Sequence, residues 1–217
     1  MAVRVDDDDV VDAAYVVAKA MARYAEAYGV TIELRDAPPE DPNHAGSVWA
    51  PRAGWTLVSG PRFFTGNAAA GQWLSGQFHT LVSTIDVYDG DLWMHLLWRD
   101  GVELDRFNSC PDYFVSGGRE ARRLRDQWAG RPEVVAAAFG RPVEHVAPYL
   151  VHPYSSRLFG RRLPHRKAFP DDEHRLGDFA VFVDFWRRMG IAWATSEKPA
   201  RHLFIDKPDK LPTGPSV

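Results

Sequence analysis

Two Asp-Gly dipeptides, Asp89-Gly90 and Asp100-Gly101, constrain this chain more than any other feature of its sequence. Each lies between runs of alternating apolar residues, and glycine tolerates the positive φ angle that a tight hairpin turn requires. The stretch from Thr80 to Phe114 is therefore predicted to form three antiparallel strands, as a meander at the centre of a sheet. We expect the rest of the chain to be organised around it.

If Asp89-Gly90 is a two-residue turn, the register of the first hairpin follows, and each strand presents two faces. One face is almost wholly apolar and is expected to lie against the core: Leu81, Ser83, Ile85, Val87, Leu92, Met94, Leu96 and Trp98. The opposite face is mixed in character: Val82, Thr84, Asp86, Trp93, His95 and Leu97. Functional residues are expected on the mixed face.

The turn at Asp100-Gly101 allows two registers. A two-residue turn pairs Arg99 with Val102, whereas a three-residue turn with Gly101 in a bulge pairs Trp98 with Val102. We favour the three-residue turn because it keeps Val102 on the apolar face. This register also aligns three polar residues of the mixed face across three strands: Thr84, His95 and Asp105.

These three residues are the candidate catalytic residues of the chain. In this register Asp105 would pair with His95 and hold the imidazole protonated. The same row could instead only stabilise the sheet, since cross-strand polar pairs commonly do so, and we favour that interpretation. Asp86 and Trp93, on the same face, are candidate binding residues.

A corner with the sequence Asn-Ser-Cys-Pro-Asp, residues 108–112, is expected to end the third strand, because the residue before a proline avoids helical backbone. The next two residues, Tyr113 and Phe114, are expected to anchor this corner to the core. The pattern Asp89-Gly90-Asp91, Asp100-Gly101 and Asn-Ser-x-Pro-Asp-Tyr-Phe resembles a segment of bacterial proteins of unassigned activity. The resemblance implies a shared fold element and assigns no catalytic residue.

Apolar periodicity and the positions of glycine and proline predict the other elements. The predicted helices run from Asp9, as the N-cap, to Gly29, from Gly66 to Phe78, from Arg119 to Trp128 and from Asp178 to Met189, the last with Phe179, Phe182, Phe185 and Trp186 as core residues. The predicted strands run from Thr31 to Arg35, from Trp55 to Ser59 and, at an edge, from His202 to Asp206, with residues 37–51 as a loop.

This order predicts an α+β fold, in which a mostly antiparallel or mixed sheet carries helices on its apolar face. We expect three parts of a single domain. Residues 1–118 form the sheet core with the N-terminal helix, residues 119–190 form a helical part packed on the same core, and residues 191–217 form an extended C-terminal tail.

Residues 132–150 contain a pair of short predicted helices that start at Pro132 and Pro142. Their spacing is similar to that of helix-turn-helix DNA readers, and the flanking sequence is basic. The second helix, however, carries only Glu144 and His145 as polar residues and contains Pro148, whereas contacts with base edges need Arg, Lys, Asn or Gln. A packed helical hairpin is therefore favoured over DNA binding.

Charge is unevenly distributed along the chain. Residues 1–118 carry 8 Lys and Arg against 17 Asp and Glu, a net charge of −9, whereas residues 119–167 carry 11 against 4, a net charge of +7. Such asymmetry can arise because two parts of one fold attract each other, and we favour that interpretation, but the acidic part would also suit a basic protein partner. Within the basic part, Arg157, Arg161 and Arg162 are candidate ligands for a phosphate or an acidic partner.

The sequence argues against several classes of function. It contains no Gly-rich phosphate loop, no spaced His pair and a single cysteine, so neither nucleotide, metal nor cofactor binding is indicated. The one cysteine, Cys110, precedes a proline in a turn, where nothing is expected to activate it as a nucleophile. No apolar run is long enough for a membrane span, and a cytoplasmic location is expected.

These observations favour a non-enzymatic binding or regulatory module of the immunity-protein or antitoxin type, with a basic protein partner. The alternative is a small-molecule or phosphate-dependent enzyme that uses the mixed face of the meander. The two hypotheses differ in their structural expectations. An enzyme should have Thr84, His95 and Asp105 lining a pocket, whereas a binding module should have them on an exposed face.

Overall fold

The computed structural model describes residues 1–5, 12–153, 166–193 and 198–214. The helices of this part of the chain are α1 (Ala13–Glu26), α2 (Asn67–Phe78), α3 (Gly118–Gln127), α4 (Pro132–Phe139) and α5 (Val181–Met189). The strands are β1 (Ala2–Arg4), β2 (Ile32–Arg35), β3 (Ala45–Val48), β4 (Trp55–Ser59), β5 (Leu81–Tyr88), β6 (Leu92–Arg99), β7 (Val102–Asn108) and β8 (Arg201–Ile205).

The strands form an eight-stranded sheet in the order β2-β8-β3-β4-β1-β5-β6-β7. The predicted α+β class with an antiparallel sheet is confirmed. The three strands that we expected at the centre stand last in this order, at one end of the sheet. The chain divides into two compact units, the first from Met1–Thr84, Trp98–Val102 and the segment that begins at Ile191, and the second from Ile85–Leu97 and Glu103–Gly190.

In the first unit, the sheet contains two strands that the sequence did not predict. β1 pairs antiparallel with both β4 and β5, and β3, inside the expected loop, pairs with β4 and β8. β8 pairs with β2 as well as β3, so the expectation of an edge strand near the C-terminus was wrong. Each of these short strands pairs with a neighbouring strand on both sides. These pairings satisfy the backbone hydrogen-bonding groups of segments whose sequence pattern alone is too short to indicate a strand.

The N-terminal helix is confirmed but begins later than expected. Its N-cap is Asp12, whose Oδ1 accepts a hydrogen bond of 3.0 Å from the backbone N–H of Tyr15. Asp9, the predicted cap, lies outside the described residues. An aspartate at the cap satisfies a backbone donor that the first helical turn leaves without an intrahelical partner.

The second Asp-Gly turn differs from our expectation. Both Asp100 and Gly101 have positive φ angles, of 53° and 77°, which is the geometry of a two-residue turn and excludes the helical backbone that the three-residue turn requires at Asp100. Helix α2 holds this turn, since Gln72 Nε2 donates to the carbonyl of Gly101 and the N–H of Gly101 donates to Ser75 Oγ, both at 3.0 Å. Val102 is accordingly exposed rather than part of the apolar face.

Helix α2 packs closely because it carries glycine at a crowded position. A Cβ atom added at Gly71 would lie 2.3 Å from Thr84 Cγ2, well inside van der Waals contact. At Gly76, one turn later, the nearest atom to an added Cβ would be 3.4 Å away. The two glycines of one helix therefore differ in whether a larger side chain fits.

We expect Gly71→Ala to destabilise the protein by about 1–3 kcal/mol, because either the helix or β5 must move to admit the methyl group. Gly76→Ala is the matched control and should be neutral or stabilising by up to about 1 kcal/mol, since alanine is the better helix former. Urea unfolding of both variants measures the difference. Equal effects at the two positions would contradict the close packing at Gly71.

In the second unit, α3 and α4 occur as predicted, but the helix expected after Pro142 does not form. Residues Val143–His145 make a single 3-10 turn instead. Pro148 lacks a backbone N–H and disfavours helical backbone before it, so only a few residues were free to form a helix. The predicted recognition helix of a DNA reader is therefore not present as an α-helix.

A group of buried charges holds α5 against the loop that precedes it. Asp172 accepts hydrogen bonds from Tyr149 Oη at 2.8 Å, from Arg187 Nη2 at 3.1 Å and from Arg188 Nη2 at 3.2 Å. Asp184, in α5, accepts the backbone N–H groups of Glu173 and His174. Both carboxylates are almost fully buried. We call these two carboxylates, together with the partly exposed Arg187 and Arg188, the buried ionic cluster.

Hydrogen bonds rather than solvent keep the Asp184 carboxylate charged. Burial alone would raise its pKa, but the backbone N–H groups of Glu173 and His174 and the imidazole of His174 hold that pKa below its usual range. The other face of α5 is apolar, with Phe182, Phe185, Trp186 and Met189 buried as predicted. Phe179, which we also expected in the core, precedes the helix and is exposed.

Replacing Asp172 with Asn should destabilise the protein by about 2 kcal/mol, because the buried side chain then loses the charge that strengthens its hydrogen bonds to Arg187 and Arg188. Asp178→Asn, at an exposed aspartate whose side chain accepts the backbone N–H of Arg175, should change stability by less than about 1 kcal/mol. Thermal unfolding of the two variants measures both effects. A similar loss in each variant would show that the buried ionic cluster contributes nothing specific.

Candidate functional site

The three candidate catalytic residues are all inside the protein. The exposed fractions are 0% for Thr84, 0% for His95 and 1% for Asp105. The two-residue turn at Asp100-Gly101 removes the register on which the alignment of Asp105 with His95 rested, and a substrate has no access to side chains that are buried to this degree. The strands around them are covered on both faces, since five consecutive residues of β5, 81–85, are buried.

We expected Asp105 to hold His95 protonated, and this expectation was wrong. Burial lowers the pKa of His95 to about 3, so the imidazole is neutral at physiological pH. Its ring lies edge-on to Phe185, with 5.0 Å between the ring centroids. A neutral histidine that packs against an aromatic ring is a core residue of the second unit.

Asp105 binds Arg131 instead. Its Oδ1 accepts the backbone N–H of Arg131 at 2.9 Å and the side-chain Nε at 3.3 Å. Its other oxygen, Oδ2, is buried and has no hydrogen-bond partner among the described residues. Burial raises the pKa of Asp105 to about 6, against the opposing effect of Arg131. The contact fixes the backbone at the start of α4.

The candidate binding residues are in different situations. Trp93 is buried and packs against Phe107 and Phe185, at centroid distances of 4.9 and 5.6 Å. Asp86 is partly exposed. The three candidate arginines, Arg157, Arg161 and Arg162, lie outside the described residues.

Three aromatic side chains cluster at the surface of the second unit, where the sequence analysis did not expect them. Tyr88, Tyr113 and Phe114 are exposed by 46%, 41% and 61%. Their ring centroids are 5.0 to 6.0 Å apart, and every pair meets edge to face. The expectation that Tyr113 and Phe114 anchor the corner to the core was therefore wrong.

Further groups extend this surface. Val87 and Phe179 are exposed, and the Phe179 ring lies close to the Asp89-Gly90 turn, since a Cβ added at Gly90 would be 3.9 Å from it. Asp89 and Asp91 flank the turn glycine. We use the name aromatic–acidic patch for the set Val87, Tyr88, Asp89, Asp91, Tyr113, Phe114 and Phe179.

A hydrogen bond joins the part of the patch that follows β7 to the part at the Asp89-Gly90 turn. Tyr113 Oη donates to Asp91 Oδ2 at 2.7 Å, which links the corner after β7 to the turn between β5 and β6. This bond is the main reason that the pKa of Tyr113 is raised to about 12, and the negative charges of Asp91 and Asp89 act in the same direction. The aromatic rings are thus fixed beside two carboxylates.

The described residues give no evidence for a cysteine nucleophile, a metal site or a membrane-spanning helix. Burial raises the pKa of Cys110 to about 11, with a further contribution from Asp112, so the thiol is not an activated nucleophile. Within the parts of the chain that the structure describes, no group of three or more His, Cys, Asp or Glu side chains could hold a metal ion. In the same parts, no helix has the length and apolar character to cross a membrane.

The sequence could have indicated the patch only in part. The Asp-Gly turn placed Asp89 and Asp91 at an exposed hairpin end, but nothing in Tyr113-Phe114 distinguishes a surface pair from a core anchor. Comparison with known proteins adds no further information, since no family model, curated protein or solved structure matches this chain.

The opposite pKa shifts of His95 and Asp105 predict opposite effects of replacing them. The lowered pKa of His95 contributes stability above pH 6.5 that is lost as the pH falls toward 3, whereas the raised pKa of Asp105 removes stability as the pH rises from about 4 to about 6. Near pH 5 each effect amounts to about 1 kcal/mol per pH unit, with opposite signs.

We compare the slope of the free energy of unfolding against pH, between about pH 4.5 and 5.5, with that of the unaltered protein. His95→Gln should make this slope more negative, and Asp105→Asn should make it more positive. Urea unfolding at several pH values gives the slopes, and the slope rather than the absolute stability is compared with that of the unaltered protein. Slopes that shift in the same direction in both variants would contradict the assigned titrations.

Proposed function

We propose that this chain is a non-enzymatic interaction module that binds a basic protein partner through the aromatic–acidic patch. The observation that carries the proposal is the exposure of three clustered aromatic rings beside two carboxylates. Exposed aromatic clusters of this kind mark interaction surfaces, because tyrosine and phenylalanine contribute most to the buried centre of protein interfaces. The burial of Thr84, His95 and Asp105 argues against the enzyme alternative.

Charge favours a basic partner over an acidic one. Asp89 and Asp91 are the carboxylates of the patch, and both act to raise the pKa of Tyr113. The first 118 residues, which supply most of the patch, carry a net charge of −9. A basic protein would be steered toward such a surface and held there by contact with the aromatic rings. The immunity-protein or antitoxin type, in which an acidic module occupies a basic toxin, fits this description.

We further infer that β5, β6 and β7 form a meander. In a meander the corner after β7 returns to the same end of the strands as the turn between β5 and β6. That connectivity accounts for the contact between Tyr113 and Asp91 across 22 residues of sequence. The patch would then rest on a hydrogen-bonded sheet rather than on independent loops, which suits a surface that binds without large rearrangement. The single cysteine suits a module that acts in the cytoplasm.

The proposal is tested by purifying the tagged chain gently from its own host and identifying the proteins that remain bound. We expect a basic protein to be retained by the unaltered chain and lost from Phe114→Ser. The matched control is Phe63→Ser, which removes an 82% exposed phenylalanine of the first unit that is not part of the patch, and should retain the partner. Elution of the partner in roughly 0.5 M salt would confirm the electrostatic contribution.

Circular dichroism establishes that both variants are folded. If no basic protein is retained, or if Phe114→Ser and Phe63→Ser retain it equally well, the proposed function is wrong. Retention of a small molecule or a metal ion in native mass spectra, in place of a protein, would favour the enzyme alternative.

A further inference from the structure

The three rings of the aromatic–acidic patch form a corner with open faces. Phe114 stands nearly perpendicular to both tyrosines, at 82° to Tyr88 and 79° to Tyr113. In an edge-to-face contact one ring directs its edge at a face of the other, and the exposure of all three rings shows that part of their surface remains uncovered. Phe114, at 61% exposure, is the most open of the three.

Elsewhere in the described chain, arginine covers aromatic faces repeatedly. Its guanidinium carbon lies 4.3 Å from the ring centroid of Phe204, 4.2 Å from that of Phe169 and 5.0 Å from that of Trp128. Among the described residues no cation is stacked in this way on Tyr88, Tyr113 or Phe114. The corner therefore offers aromatic faces of a kind on which a guanidinium packs, and no described side chain of this protein fills them.

A guanidinium also suits the carboxylates of the patch, because it can donate N–H groups to them. Asp91 uses Oδ2 for Tyr113, which fixes the carboxylate beside the rings, and Asp89 is held at the turn by backbone with a φ angle of 52°. Arginine is planar, so it can stack on a ring while its N–H groups reach a neighbouring carboxylate. Lysine carries a strongly hydrated point charge and does not combine the two contacts in this way.

We propose that the aromatic corner of Tyr88, Tyr113 and Phe114 binds an arginine side chain of the partner, with Asp89 and Asp91 accepting its N–H groups. This inference rests on the proposed function, because it specifies which residue of a basic partner occupies the patch. It is a statement about recognition that goes beyond net charge. A lysine-rich surface of equal charge should bind more weakly.

Two capped synthetic peptides of equal length and charge provide the test, one with three repeats of Gly-Ser-Arg and one with three repeats of Gly-Ser-Lys. Their affinities for the full chain are measured by fluorescence anisotropy at low salt. The arginine peptide should bind about 5-fold more tightly than the lysine peptide, which is the size of a cation–π contact at an exposed site. Phe114→Ser should remove this preference, whereas Phe63→Ser should preserve it.

Equal affinity of the two peptides overturns the arginine inference. If both then lose affinity in Phe114→Ser, the patch still binds basic chains and the proposed function stands. An arginine preference that persists in Phe114→Ser overturns the inference as well, because the preference then arises at another site. Absence of binding by either peptide also overturns it, and retention of the natural partner on the unaltered chain then decides the proposed function separately.

Discussion

Burial of strands β5 and β6 on both faces is the constraint on which the rest of this structure depends. An antiparallel strand that faces water on one side keeps polar residues at alternate positions. Here the alternate positions of β6, Trp93, His95 and Leu97, are as buried as their neighbours. Polar groups at such positions must become neutral or acquire a partner. His95 becomes neutral, and Asp105 binds Arg131.

The other buried carboxylates of the second unit are stabilised by ion pairs and hydrogen bonds. Asp172 and Asp184 are surrounded by hydrogen-bond donors from α5 and from the backbone before it. A buried ionic cluster adds little net stability compared with apolar packing, but losing one member leaves an uncompensated charge. The cluster joins the 169–176 segment to α5 through hydrogen bonds to both backbone and side chains. The apolar side of the same helix, with Phe185 against His95 and Trp93, fixes the core of this unit.

The sequence predicted those elements whose signals are local. Both Asp-Gly turns occur where expected, and β4 has the bounds that its alternating residues indicated. Gly190, in left-handed backbone, ends α5 as its position predicted. Strands β1 and β3 could not be predicted, because segments as short as Ala45–Val48 gain their stability from pairing partners far away in the sequence.

The candidate site could be predicted only in part, for a related reason. Alternation along β5 and β6 predicted two faces for these strands, but it could not show that both faces are covered. The same pattern describes a mixed face in water and a mixed face inside a core. Tyr113 and Phe114 were predicted to be buried, because large aromatic residues usually are. Only the tertiary structure shows that both are exposed. The exposed aromatic side chains of the patch therefore lie at the strand ends and not on the strand faces.

The position of the patch at the strand ends also bears on how tightly it can bind. Ordering side chains at an interface opposes association, and rings with two rotatable bonds lose little freedom when a partner covers them. Here part of that ordering is already present in the free protein, because Tyr113 is bonded to Asp91 and all three rings touch one another. A flexible loop with the same composition would have to be fixed by its partner. If the patch binds a partner as proposed, the hydrogen bond between Tyr113 and Asp91 orients the aromatic and acidic groups before any contact is made.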